Sequence, residues 1–440
     1  MSTAERAVRR LADLEGSDGA AARRTTLLQM VLSRLAVLAG EEPPLLLWVP
    51  GRLEMFGKHT DYAGGRTLVA AVPRGFVVAA VRRSDGRLHV TDAAREQSVS
   101  FDTSGRPLAE GGTGSRPSGW RNYVETVVRR LRLNFPGLDA GATIVFASDL
   151  PRASGMSSSS ALMVGVAAAL VRLGRLDHSL EWTAAIRSPL DAASYYACIE
   201  NGMGFDGLGA GTGVGTHGGS EDHAAIVTAR AGHLSAFAFV PVRHLEDVAL
   251  PEPWRFVVTP SGVAADKTGG AQGPYNRLAE GARALLGLWN GAAASPARSL
   301  AEAMASSGEA IDRLERLAAR SHVAGWPAVA LAARLAHFLR EDARISPAIE
   351  ALRAGDAAAL GALSADSQQD ADTLLGNQIP ETVALAHAAR RLGAFAASSF
   401  GAGFGGSLWA LVEADRADSL ASRWHPQAFV MRPGSPLSEL

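Results

Sequence analysis

The spacing of apolar positions changes several times along the chain, and each change predicts an element. Residues 1–16, MSTAERAVRRLADLEG, are charged with apolar residues on one face, the pattern of a short amphipathic helix. Residues 25–39, TTLLQMVLSRLAVLA, keep helical spacing. The runs 44-PLLLWVPGRLEMF-56, 67-TLVAAVPRGFVVAAVRR-83 and 87-RLHVTDA-93 are rich in Val and Leu and predict strands. A helix follows over 120–133, a strand over 142–150 and a helix over 161–174 with a glycine near its end. Strand-like runs resume at 224-AAIVTAR-230, 235–242 and 255–261. From about 275 to 395 the pattern is helical, and 401-GAGFGGSLWALVEA-414 is a glycine turn feeding a strand. Strands and helices mix without strict β-α alternation, so an α+β class is expected rather than a doubly wound sheet. A boundary is expected near 240–255, dividing the chain into 1–245 (with 1–24 as an N-terminal helix or extension) and 246–440.

Composition narrows the function classes. Forty-three basic residues face forty-four acidic ones in 440, a formal charge of −1. That balance offers no footprint for nucleic acid or an anionic membrane. No apolar run approaches the roughly 20 residues that span a bilayer, and the N-terminal stretch has no signal-type apolar core. Cys198 is the only cysteine, so no internal disulfide can form and a reducing compartment is expected. These readings together predict a cytoplasmic protein with no nucleic-acid or membrane partner, and they leave monomer and homodimer both open.

Two stretches carry candidate chemistry. In 51-GRLEMFGKHTDYAGG-65 an apolar run ends in Arg52, Lys58, His59 and Asp61 among glycines, more polar groups than a turn requires. In 151-PRASGMSSSSAL-162 a predicted strand passes into a predicted helix through Ser154, Gly155, Ser157, Ser158, Ser159 and Ser160. A helix N-terminus exposes unpaired N–H groups and the positive end of its dipole, and small residues let a phosphate come close. Serine hydroxyls also suit Mg²⁺. The alternative is an ordinary serine N-cap. The stretch is not a Walker A loop.

Together these stretches resemble a known family. The first resembles the galactokinase signature GR-x-N-x-x-G-E-H-T-D-Y. The second resembles the P-x-G-x-G-L-S-S-S-A phosphate loop of the GHMP small-molecule kinases. The segment 399-SFGAGFGGSLWALV-412 resembles their third, TGAGFGG-like motif. The segments 120-WRNYV-124 and 274-PYNRLAEGA-282 are similar to further galactokinase segments. The resemblance spans roughly 40–415. It implies a two-domain GHMP fold with the active site between domains, ATP and Mg²⁺ as cofactors, and phosphorylation of a galactose-like sugar at its anomeric hydroxyl. By the same resemblance Asp222, in 218-GGSEDHAAIV-227, is the base and Arg52 its partner. His59, Asp61 and Tyr275 meet the sugar. Ser159 holds Mg²⁺, with Ser158 or Ser160 as alternatives one residue away. Glu200 is the acidic metal ligand, with Asp206 as a rival because the stretch between Glu200 and Asp222 is longer than usual. Gly401, Gly403, Gly405 and Gly406 let the backbone pack beside the site.

The main departure is Lys58, where the signature has Glu. Lysine donates and cannot accept. An acidic sugar such as galacturonate, or an amino-substituted sugar, is one expectation from the altered pocket. A Lys58–Glu221 pair, leaving neutral galactose as substrate, is another, as is donation from Lys58 to a hydroxyl. Glu221 and His223 also replace the usual Met and Gln. A non-catalytic sugar sensor on a kinase scaffold is the reading from another functional class.

Overall fold

Two long apolar strands, β1 (Leu45–Phe56) and β2 (Arg66–Arg83), pair antiparallel and organise the first sheet. The computed structural model describes residues 3–14, 19–39, 42–102, 107–108, 119–138, 141–151, 154–265 and 270–440. Residues 152–153 of the serine turn and 266–269 lie outside these. The other strands of this sheet are β3 (Leu88–Asp92), β4 (Gln97–Phe101), β5 (Pro107–Leu108), β6 (Gly141–Ser148), β7 (His233–Ala238) and β8 (Arg243–Ala249). A second sheet holds β9 (Trp254–Pro260), β10 (Ala396–Phe400), β11 (Ser407–Glu413) and β12 (Phe429–Met431), and β13 (Ser438–Glu439) returns to β1.

The first sheet runs β13-β1-β2-β6-β3-β4-β5, with β7 and β8 joined to the near end of β2. Only β3 and β6 pair in parallel. The second sheet, β10-β11-β9-β12, is antiparallel throughout. This mixed architecture in two domains is the expected α+β class. A cut at 245/246 would cross β8, which pairs with β7 as far as Ala249, and the second sheet starts at Trp254.

The apolar run of β1 is unbroken because both faces are covered. Leu47 and Val49 pack toward the central helix Ser158–Leu173. Leu46 and Trp48 pack on the other face against Leu27, Leu28, Val31 and Leu35 of the helix Ala20–Ala39. The helix Ser158–Leu173 is buried on every side from Ser160 to Val171, which explains its lack of a polar face. Helices between Gln272 and Arg391 form the predicted helical region. No described helix is long and apolar enough to cross a membrane.

One predicted strand is a helix. Residues 224–230 fall in and just after the helix Glu221–Thr228. A short apolar run satisfies either period, and tertiary packing decides it. Here Ala224, Ala225 and Ile226 are buried, and the helical turn carries Asp222 toward the cleft described below.

The loop after β1 is tied to the helical layer by buried charge. Glu341, fully buried near the end of the helix Ala328–Ala343, accepts from the backbone N–H groups of Gly57 (3.0 Å) and Lys58 (3.3 Å) and from Ser367 Oγ (3.0 Å). Arg344 donates to its other oxygen at 2.8 Å. Lys58 Nζ donates to Ser367 Oγ at 2.7 Å and lies 3.9 Å from Glu341. Burial pushes the Glu341 carboxyl up, but Lys58, Arg344 and the hydrogen bonds outweigh burial and hold it below the usual range. A depressed carboxylate stabilises the fold above its unfolded pKa, and the contribution is lost as pH falls through the folded value. Replacing Lys58 by Glu sets a second carboxylate against Glu341. Lys58→Glu is expected to lower unfolding free energy by about 3–5 kcal/mol in urea melts at neutral pH. A melt unchanged from wild type would show that the pair carries no weight.

Candidate active site

Arg52 is the centre of the cleft. It sits where β1 and β2 lose register between Pro50 and Arg52, and it is 3% exposed. Its Nε lies 2.7 Å from Glu221 Oε1 and 2.8 Å from Asp222 Oδ1, and Nη2 lies 3.4 Å from Glu54 Oε2. Nη1 donates to the carbonyl of Gly155 at 3.1 Å, which ties the guanidinium to the serine turn. Burial alone would lower the Arg52 pKa. Asp222, Glu221, Glu54 and Asp61 more than offset it, so the guanidinium stays charged. The carboxylates do not all gain equally. Burial pushes Glu54 up and Glu221 well up, because one guanidinium is shared among several acids.

The serine turn closes the next side. The helix Ser158–Leu173 starts after Ser157, whose φ of 59° is left-handed. Ser157 makes no side-chain cap, so the ordinary N-cap expected as the alternative is not formed there. Its Oγ is buried without a hydrogen-bond partner. Ser154 donates to the carbonyl of Pro151 instead. Ser160 is fully buried and donates to Glu200 Oε2 at 2.8 Å, and its Oγ lies 3.3 Å from Asp222 Oδ2. Ser158 and Ser159 are half-buried. The serine brought to the acidic pair is therefore Ser160, one helical step beyond Ser159. His223 Nε2 lies 3.2 Å from the same Glu200 oxygen. Asp206, the rival to Glu200, is paired with Arg187 and half exposed at the surface.

The third motif packs against this turn. At Gly401 a Cβ would meet the carbonyl of Gly155 at 2.8 Å, and φ is +83°, so the two loops touch only because both positions are glycine. Gly403, Gly405 and Gly406 continue this loop with φ of 76°, 124° and 84°. The Gly401 N–H reaches Glu54 Oε2 at 3.4 Å.

The loop 57–65 presents His59 and Asp61 to the same cleft. His59 Nε2 donates to the carbonyl of Ala402 at 3.1 Å, which leaves Nδ1 to accept from the Tyr62 hydroxyl at 3.0 Å. Arg334 holds the loop from below, donating to the carbonyl of His59 and to Tyr62 Oη. The Tyr275 ring lies 5.5 Å from the His59 ring. Asp61 accepts from the backbone of Tyr62 at 2.8 Å and of Glu221 at 3.2 Å. Gly219 lies so close that a Cβ there would fall 2.1 Å from Asp61 Oδ2. Asn201 pins this approach by bonding Gly218 and Gly219. The glycine-rich loop 202–219 is also tied to the next helix through Gln272 and Asn276.

Arg52, His59, Asp61, Glu200, Asp222 and Tyr275 thus line one cleft with about 430 Å³ of empty space, open mouth included. Lys58 does not line it, and the expected Lys58–Glu221 pair is not made. Arg52 takes Glu221 and Glu341 takes Lys58. Glu54, Asn201 and Arg334 are not among the residues the sequence singles out. Glu54 carries a visible signal, since it stands where the signature has Asn. Asn201 and Arg334 carry none, because their partners are distant in sequence.

Comparisons with known proteins bear on the family and the fold. Residues 37–82 match the galactokinase galactose-binding signature, residues 122–201 the GHMP kinase N-terminal domain and residues 348–430 the GHMP kinase C-terminal domain. A galactokinase of Roseiflexus sp. (strain RS-1) is 30% identical over 88% of this chain and 89% of its own length. One from Actinobacillus pleuropneumoniae is 27% identical over 89% and 91%. The structure of Lactococcus lactis galactokinase complexed with galactose superposes with a TM-score of 0.75, at 23% identity over 94% of this chain and all of that one. A mevalonate kinase shares the fold more distantly, with a TM-score of 0.56 and 14% identity. By these matches the chain belongs to the galactokinase family of GHMP kinases and is a sugar kinase.

Proposed function

We propose that the protein transfers the γ-phosphoryl group of ATP to the anomeric hydroxyl of galactose or a galactose-like sugar, with Asp222 as general base. The observation that carries this reading is the 2.8 Å pairing of Asp222 with Arg52 in a cleft between the serine turn and the His59–Asp61 loop. Arg52 pairs with Asp222 and aims it, so the carboxylate can take the hydroxyl proton as the sugar oxygen attacks phosphorus. The same guanidinium offers charge to the phosphoryl group in flight. Asp61 accepts from sugar hydroxyls, and His59 and Tyr275 form the wall beside them.

The residues fit ATP and Mg²⁺. The uncapped helix start and the orphaned Ser157 hydroxyl suit a phosphate chain, with Ser154, Gly155 and Ser158 lining its approach. Ser160 and Glu200 supply two oxygens 2.8 Å apart, and Mg²⁺ usually takes few protein ligands beside phosphate and water. The ion would neutralise charge on the transferred phosphate. We therefore assign the metal role to Ser160 in place of Ser159. The galacturonate alternative fits less well, because Lys58 is turned away and the cleft wall is acidic. The lone Cys198 supports a cytoplasmic setting, and the boundary between the two domains is placed within the expected 240–255 stretch, after β8 and before β9.

Three outcomes are expected. Asp222→Asn should cut kcat about 10²–10⁴-fold with galactose KM little changed, measured by coupled ADP release; near-wild-type kcat would remove Asp222 as base. Ser160→Ala should raise the Mg²⁺ concentration for half-maximal rate well above that of Ser159→Ala, and the reverse order would return the role to Ser159. Gly219→Ala should displace Asp61 and raise galactose KM about tenfold or more, a loss near 1.4 kcal/mol of binding, with circular dichroism unchanged. An unchanged KM would show that Asp61 does not hold the sugar.

A further inference from the structure

We propose that the preferred substrate is a galactose-type hexose bearing an ammonium group on the carbon beside the phosphorylated one, a 2-amino-2-deoxy sugar. This rests on Asp222 acting at the anomeric hydroxyl. Among the described residues, the charged groups lining the cleft, histidines apart, are one guanidinium and five carboxylates, with no lysine: Arg52 against Glu54, Asp61, Glu200, Glu221 and Asp222. With all ionised, the excess is four negative charges.

Three of the carboxylates have work in the mechanism. Asp222 takes the proton, Glu200 faces the metal and Asp61 holds hydroxyls. Glu54 and Glu221 have none, yet they are only 2% and 4% exposed. Glu54 Oε1 is buried without a hydrogen-bond partner. Burying a carboxylate oxygen without a donor is unfavourable, and sharing one guanidinium among three acids does not relieve it. Burial holds both carboxyls above their ordinary range, as expected for acids short of positive charge.

An ammonium group answers both deficits, since it brings three donors and a positive charge. A neutral hydroxyl brings one donor and no charge, and a sugar carboxylate adds to the excess. A further metal ion is a poorer occupant, because among the described residues no three His, Cys, Asp or Glu side chains converge to hold one. Position follows from Arg52. Its Nε lies within 2.8 Å of both Glu221 and the base Asp222, so the two carboxylates flank one nitrogen. A substituent that meets Glu221 while the anomeric hydroxyl meets Asp222 is borne on the neighbouring carbon.

The test uses the full chain with Mg-ATP and coupled ADP release, at a pH that keeps the amine protonated. The substrates are galactose, 2-amino-2-deoxygalactose and its N-acetyl derivative. The amine is expected to exceed both others in kcat/KM by at least about tenfold, the low end for a close buried charge pair. Glu221→Gln and Glu54→Gln should each reduce the amine-to-galactose ratio of kcat/KM, whatever they do to either rate alone. Galactose preferred over the amine, or a ratio unmoved in both variants, overturns the proposal and leaves the kinase reading standing. If neither variant folds, the wild-type comparison of amine with N-acetyl sugar decides, because acetylation removes the charge. If no hexose is turned over, the kinase reading falls first. Calorimetry with the same sugars then decides separately: tighter binding of the amine supports the acidic subsite, and equal or weaker binding overturns it.

Discussion

Everything in the cleft depends on keeping one guanidinium charged where water is nearly absent. Arg52 is buried on the strand that starts the fold, and desolvation there is costly for any ion. Its carboxylate partners arrive from different parts of the chain. Glu54 comes from the same strand, Asp222 and Glu221 from a helix some 170 residues on. The arginine is therefore the point where the strand, the serine turn and the helix that carries Asp222 are held together. Removing it would leave buried acids without their counter-charge, so structure and chemistry cannot be separated at this residue.

A second constraint is close backbone approach. The serine turn and the 401–406 loop meet through Gly155 and Gly401, and the segment that leads into the Asp222 helix meets the 57–65 loop through Gly219. Side chains there would open the cleft by the width of a methyl group. Misplacing a reacting group by about 1 Å can cost a hundredfold in rate, so close approaches of this kind matter to any chemistry in the cleft. The buried Glu341 cluster acts from the far side, fixing the loop that carries His59 and Asp61 to the helical layer. Charge and close packing thus set one geometry by independent means.

Much of this was legible in the sequence. The long runs that become β1 and β2, the buried central helix and the late helical region follow from period and length. Arg52, His59, Asp61, Glu200, Asp222 and Tyr275, named from motif resemblance, gather in one cleft. What was not legible has physical causes. Residues 224–230 are too short an apolar run to choose between strand and helix. Ser159 and Ser160 differ by one residue in sequence but by about 100° around a helix, and only packing says which faces Glu200. Arg334 reaches the His59 carbonyl across 275 positions, a contact that no local pattern encodes.

Lys58 is the instructive case, because its charge was legible and its direction was not. A basic residue in a sugar-binding signature invites an acidic ligand. In the fold its ammonium turns to Ser367 and Glu341, partners some 300 residues away, and leaves the cleft wall to carboxylates. The sign of a pocket is a sum over side chains that face it, and sequence order does not say which ones do. Burial enforces the result: an ammonium that has found a buried carboxylate and a hydroxyl gains nothing by crossing to a cleft it would have to desolvate again. The same accounting leaves Glu54 with one unbonded oxygen and Glu221 sharing its arginine with two other acids, so the ligand of this cleft is better judged from what its acids lack than from the lysine in its signature.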